Sequence, residues 1–533
     1  MLVRFLLTLA TIASLTTVAR GAPAIYLTRS QIPTTTISSE VQSFITAGYA
    51  TVFDGGEGCE WTRATVSAPG AVQSADGAYW ALSTQAAIRA ECFGLVGTVA
   101  DATPIMQAAF DAAINPATGS YGRVTTGHKY LYPIIHTAGL TQHNVQGFSG
   151  CDAGRARFES DLASGFAWTV MGSANFTQCL ELYNNNPTNT AYGIRSGDGS
   201  LYDAGAQSRL FDNFYVGGFD TGVAQLSSNG WTYRHGVIES YSADAMLIDN
   251  AVCDGGDWSI TDVVFGFPKV GATGTHNINW RCSGGAKITA NKLFGAGTGI
   301  GLHPSHSGGT QAIQITGNSI ENQTGFGIDC STDTSDVVGN VSIVGNEFAG
   351  QPYAIRLKKG CAGVNIAGNV SSSIGVASVV LENGATGITL GQNNFDYAHP
   401  ALVDSRDDFN ESGPTPQPPL KRCLSVPASI YEIYFIDIPN YRSAEFEVMI
   451  EGVVSTIGPT MTKQKIFAQA DGAGALTVQK TTNIIGTPIV YAVNSATPNR
   501  IKLGINLDVG QPSADVCVYI NQTQGKITQI VYN

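Results

Sequence analysis

The chain has 533 residues with 41 acidic side chains against 29 Lys and Arg, a net charge of −12 at neutral pH. An acid excess without clustered Lys and Arg excludes nucleic acid as a partner, because phosphate binding needs concentrated positive charge. Charged residues make up only 13% while Gly numbers 62, a balance that points away from a helical enzyme and toward a long β architecture.

The ten Cys are scattered singly, with no CxxC and no Cys/His cluster, which argues against a cysteine-based zinc site and allows disulfides without implying them. Cys282, Cys330 and Cys361 read as small buried residues. GxSxG, HExxH and P-loop phrases are absent.

In chain order, residues 1–22 carry an Arg, an apolar and Thr-rich run and then small residues, the pattern of a secretory signal or an N-terminal anchor. Residues 23–85 form a small head. Its phrases GYATVFDGGEGCEWTR (48–63) and SADGAYWAL (74–82) place a tight Asp-Gly-Gly turn between β-rich flanks. These phrases resemble the head segment of phage and prophage tailspike and tail-fibre proteins, with Phe53 standing where that pattern has Gly.

Residues 91–113 read ECFGLVGTVADATPIMQAAFDAA. Phe93, Gly94, Gly97, Asp101, Thr103, Gln107 and Asp111 resemble the first segment of the pectate-lyase-like β-helix superfamily. Thr103 is placed to cap a helix over 103–114, Pro104 suits its first turn, and Met106, Ala109 and Phe110 give it an apolar face. Such a helix would close the open end of a solenoid. Less regular strands with longer insertions follow to about residue 285. Trp231 and Trp258 there are candidates for stacking on sugar rings.

The strongest periodicity lies between 286 and 396. An apolar residue, two small or polar ones and then Asn recur at Asn291, Asn318, Asn346, Asn369 and Asn393, in steps of 27, 28, 23 and 24. That period is the mark of a β-solenoid, with the Asn residues stacked at one corner. A second phrase, apolar-x-apolar-polar, predicts one outward column of Arg281, His303, Asp329, Arg356 and Glu382 beside a lane of small residues. After a Pro-rich linker at 411–422, alternating segments from 423 to 533 predict a β-sandwich or jelly roll. The solenoid itself spans 86–410. The whole reads as an all-β chain: a right-handed parallel β-helix with a small head, a capping α-helix and a C-terminal β-sandwich.

For chemistry, Glu321 and Glu347 fall on outward positions of adjacent coils, roughly 8 Å apart in backbone, a spacing suited to inverting a glycosidic bond. Asp329 and Glu382 complete the candidate acids. His303, Arg356, Arg281, Trp231 and Trp258 are the candidate substrate-binding residues. No cofactor is called for, although Asp329, Asp333 and Asp336 on one loop would suit Ca²⁺. The polygalacturonase phrase Gly-His-Gly is absent.

The tailspike resemblance implies binding of a bacterial surface polysaccharide and its cleavage by a glycosidase or lyase activity. It further implies a homotrimer joined to other tail proteins through its N-terminal region, in an extracellular virion tail. A non-catalytic receptor-binding fibre and a secreted bacterial β-helix protein are the alternatives.

Overall fold

The computed structural model describes residues 27–395 apart from 55–56, 69, 84–86, 114–121, 127–133, 143–145, 152–153, 173–174, 198–208, 227–229, 250–257, 283, 305–309 and 332–336; beyond these it describes strands between 402 and 532. The expected leader at 1–22, most of the linker (411–419), Ile114, Asp333 and Asp336 lie outside the described residues. Residues 420–422, expected in the linker, belong to the strand Leu420–Pro427. Of the described residues, those up to 185, with 163–165 excepted, form one compact unit and the rest a second.

In the first unit an antiparallel sheet of Ser43–Ala47, Glu57–Ala64, Tyr79–Leu82 and Val72–Gln73 precedes parallel coils. Cys59 and Cys92 form a disulfide there, as do Cys151 and Cys179. Helix α1 runs Thr103–Ala112. Thr103 starts the helix instead of capping it: Ala102 is the cap residue, and Asp101 Oδ1 accepts from the Thr103 N–H at 3.0 Å. A carboxylate there answers both the free N–H groups and the positive end of the helix dipole.

Phe110 packs its apolar face on Trp168 and Phe148, which are buried with Phe158 in one aromatic cluster. Gln107 does the capping of the coil edge. Its Oε1 accepts from Thr141 N–H at 3.0 Å and its Nε2 donates to Thr141 O at 3.3 Å, so one side chain substitutes for a further strand beside Leu140–Gln142. Gln107→Leu is expected to cost about 2 kcal/mol by leaving these strand groups unpaired, read as an earlier denaturant midpoint with unchanged slope.

In the second unit each complete coil contributes three main strands, and strand pairs with strand in parallel from coil to coil. The core is a file of side chains repeated at each level, such as Ile278, Ile300, Ile328, Ile355 and Val379, all 0% exposed. The Asn phrase stacks as its spacing predicts. Each Asn Nδ2 donates to the Oδ1 of the next, at 3.0 Å from Asn291, 2.9 Å from Asn318, 3.0 Å from Asn346 and 2.9 Å from Asn369. The left-handed turn lies one residue earlier than the Asn itself, at Ala290 (φ 56°), Gly317, Gly345 and Gly368. It frees the Asn amide to point into the corner, where it also satisfies backbone groups.

Cys330 and Cys361 form a disulfide, and Cys282 is also disulfide-bonded, which corrects their reading as plain buried thiols. The reason is the coil: Leu357 lies beside Cys330 one turn on and Cys361 follows four residues later, so the two Cys come 6.1 Å apart in Cα. Toward the C-terminus strands form where the alternation predicts them. Leu420–Pro427, Ser513–Gly525, Ser443–Val454, Gly458–Ala470 and Leu476–Ile485 make one antiparallel sheet. Gln529–Tyr532 pairs antiparallel with Leu402–Asp404, the last strand of the parallel ladder.

Candidate functional site

The site is built on one sheet of the second unit, from six parallel strands: β1 (Asp244–Ile248), β2 (His276–Trp280), β3 (Thr298–Leu302), β4 (Phe326–Cys330), β5 (Tyr353–Leu357) and β6 (Ala377–Leu381). Their observed register shifts the predicted column. Asp329 and Arg356 lie level with Asn279, Gly301 and Val380, whereas Arg281, His303 and Glu382 lie two positions further along. The cause is the period of two. Phe326-Gly-Ile328-Asp-Cys330 offers two equivalent apolar-x-apolar frames, and only the one placing Ile328 beside Ile300 fills the interior file. Phe326 and Tyr353 therefore move to the outer face, stacked 5.2 Å apart, and the lane expected to be small holds Asp329 and Arg356.

That slip assembles a polar cluster. Asp329, 4% exposed, accepts two hydrogen bonds from Arg356, both 2.7 Å, and one from His303 Nε2 at 3.1 Å. Burial pushes the Asp329 carboxyl up, but the Arg356 and His303 hydrogen bonds outweigh it and hold the group at about 2. The Arg356 guanidinium also lies 3.5 Å from the Phe326 ring centre, in cation–π contact. One coil back the arrangement repeats: His276 Nδ1 bonds Asp244 Oδ1 at 2.8 Å, and Asn279 Nδ2 donates to Asp244 Oδ2 at 3.1 Å. The two imidazoles stand nearly perpendicular, 5.5 Å between centres.

Gly301 makes room for both rings. A Cβ there would lie 2.7 Å from His303 Cε1, 3.0 Å from His303 Nδ1 and 3.0 Å from His276 Cδ2. The ring edges that face this niche are those bearing the nitrogens not bonded to Asp244 or Asp329. A carboxylate on one nitrogen fixes the tautomer and leaves the other as a proton acceptor. The arrangement therefore offers two oriented acid–base groups.

The remaining candidates go elsewhere. Glu321 and Glu347 are on adjacent coils two positions apart, since Ser319 pairs with Glu347 and Glu321 with Ala349. They belong to a different ladder of strands from Asp329, and Ser319 Oγ donates to Glu321 Oε1 at 2.6 Å. The four acids are therefore not one cluster. Glu382 pairs with Lys358 at 3.6 Å and Arg281 with Asp249 at 3.6 Å, both partly exposed.

Trp231 and Trp258 are corrected outright. They are 0% and 3% exposed, Trp231 stacked on Phe211 and Trp258 edge-on to Trp280, so they fill the coil interior and present no face to a sugar. Large apolar rings on inward strand positions bury more area there than any surface contact offers. Asp329, with both oxygens engaged by Arg356 and His303, does not suit the Ca²⁺ role either, and among the described residues no three His, Cys, Asp or Glu side chains gather for a metal. Asp244, His276, Asn279 and Gly301 escaped the sequence reading as functional residues. His276 stands two positions ahead of Ile278, where the recurring phrase begins.

No family model matches the chain, and no curated protein matches it. Solved structures do. The tailspike protein of Acinetobacter phage vB_ApiP_P1 superposes with a TM-score of 0.50 at 11% identity, over 95% of this chain and 100% of that one. The chain is tailspike-like in fold. Two further tailspike-like matches are the enzymatically active domain of tailspike protein 2 of bacteriophage CBA120 (TM-score 0.49, 12% identity, 97% of this chain and 94% of that) and tailspike gp49 of Acinetobacter baumannii bacteriophage Fri1, described as a capsular polysaccharide depolymerase (0.44, 12%, 95% and 100%).

Proposed function

We propose that this chain is a tailspike-like protein that binds a bacterial surface polysaccharide on the outer face of strands β1–β6 and cleaves it by acid–base chemistry. The observation that carries this reading is the pair of carboxylate-anchored imidazoles, His276 on Asp244 and His303 on Asp329, facing one niche over Gly301. One imidazole takes a proton from the sugar or from the attacking water. The other, protonated, delivers one to the departing glycosidic oxygen. Asp244 and Asp329 hold the rings and stabilise whichever imidazolium forms. Phe326 and Tyr353 flank the lane as apolar edges for sugar C–H faces.

The fold likeness to a phage tailspike favours an extracellular virion tail, a homotrimer and attachment to other tail proteins through the N-terminal region. The disulfides agree with an oxidising, extracellular setting, which a secreted bacterial protein would share. A second reading, favoured by the observed register of Glu321 and Glu347, places an inverting hydrolase on the neighbouring face.

Incubation with host capsule and lipopolysaccharide decides, with reducing ends and unsaturated-uronate absorbance followed in parallel. His276→Gln or His303→Gln is expected to lower the rate about 100-fold or more, and the Glu321→Gln, Glu347→Gln double variant to leave it within about twofold. The opposite pattern assigns catalysis to the glutamates. Binding without any polymer shortening leaves a receptor-binding fibre.

A further inference from the structure

Two acceptors that lack a donor edge the niche over Gly301, and a third belongs to the residue paired with Gly301 on the neighbouring strand. The first two are the imidazole nitrogens not bonded to Asp244 or Asp329, His276 Nε2 and His303 Nδ1. The third is Asn279. It lies on the coil immediately before Gly301, in the same lane, and is 2% exposed. Its Nδ2 is committed to Asp244, while its Oδ1 is buried and has no hydrogen-bond partner. A buried carbonyl oxygen without a donor is costly, which points to a bound group as its partner. The absent Cβ at residue 301 leaves the space: His303 Nδ1 and His276 Cδ2, the carbon next to Nε2, each lie 3.0 Å from that vacant position.

We propose that His276 Nε2, His303 Nδ1 and Asn279 Oδ1 bind one divalent transition-metal ion of the Zn²⁺ or Ni²⁺ class, with water completing its coordination. Neutral imidazole suits these borderline ions, and a carboxylate on the far nitrogen orients the ring and strengthens it as a ligand. Both rings carry that carboxylate. The third donor is an amide oxygen, which is why the site shows no trio of His, Cys, Asp or Glu side chains. The nearby cation Arg356 is turned onto Asp329 by two hydrogen bonds. The proposal stands on this geometry and does not require the protein to be an enzyme. Where it is one, the ion takes the nitrogens that would otherwise move protons, and it inhibits.

The test is calorimetric titration of the tag-free, chelator-treated full chain with ZnCl₂ and with NiCl₂ at neutral pH. One saturable site per chain is expected. His276→Gln and His303→Gln should each weaken it by about 10-fold or more, and Asn279→Leu by less. Gly301→Ala, which removes no donor, should weaken it by displacing the rings, and Glu321→Gln should leave it unchanged. Far-ultraviolet circular dichroism confirms that each variant is folded. Absence of a saturable site in the parent chain, or unaltered binding in the His276→Gln, His303→Gln double variant, overturns the proposal. Glycan cleavage without ion binding removes this site alone, whereas ion binding without cleavage removes the enzymatic reading alone.

Discussion

Replacing Asp329 with Asn is expected to lower glycan cleavage by about 100-fold or more and to destabilise the solenoid by about 3 kcal/mol. Both effects have one origin. The carboxylate takes two hydrogen bonds from Arg356 and one from His303, and it is almost fully buried. An amide of the same shape accepts at one atom only, so it cannot hold the guanidinium in bidentate contact and leaves a partly buried cation uncompensated. It also ceases to select the His303 tautomer whose Nδ1 faces the niche.

A pH signature accompanies the same carboxylate. Its folded-state pKa of about 2 lies below the usual carboxylate value, so the stability it contributes is fully present above about pH 4. That stability falls away as the pH drops from about 4 through 2, and the loss amounts to roughly 2 kcal/mol. Denaturant melts between pH 5 and 2 should show this fall in the parent chain and a shallower one in Asp329→Asn. Equal slopes would mean that the Arg356 contact is not formed in solution.

Asn346→Ala should be the most damaging single change in the coil, at about 4 kcal/mol. Asn346 is 1% exposed in the middle of the ladder. Its Oδ1 accepts from both the backbone N–H and the side-chain Nδ2 of Asn318, and its Nδ2 donates to Asn369 Oδ1 and to Ile315 O. Truncation leaves those groups buried and unpaired. Because each coil is supported only by its neighbours, the damage should divide the solenoid. Hydrogen exchange should then speed up on both sides of residue 346, while α1 keeps its protection. Uniform loss across the whole chain, or none, would contradict a ladder that works coil by coil.

The Asn ladder was legible in the sequence because a fixed residue at a near-constant interval leaves little freedom: once the chain coils with that period, equal positions must stack. The strands after 420 were legible through their alternation, and α1 through its apolar spacing. The site was legible only in part. His303, Asp329 and Arg356 were found, but in the wrong relation, because a strand pattern repeats every two residues and tolerates a slip of two. Trp231 and Trp258 read in the sequence as sugar platforms because a Trp in an irregular coil carries no mark of which way it faces.

The amino-acid sequence by itself therefore determined the coil, its period and its polar corner. Only the tertiary structure decided which side chains of neighbouring coils meet: His276 with Asp244, His303 with Asp329, and both rings over Gly301. The reason is physical. Period sets how often a position returns, but the alignment of one coil on the next is set by how the interior side chains fill the core, and a two-residue shift there rearranges every contact on the outer face.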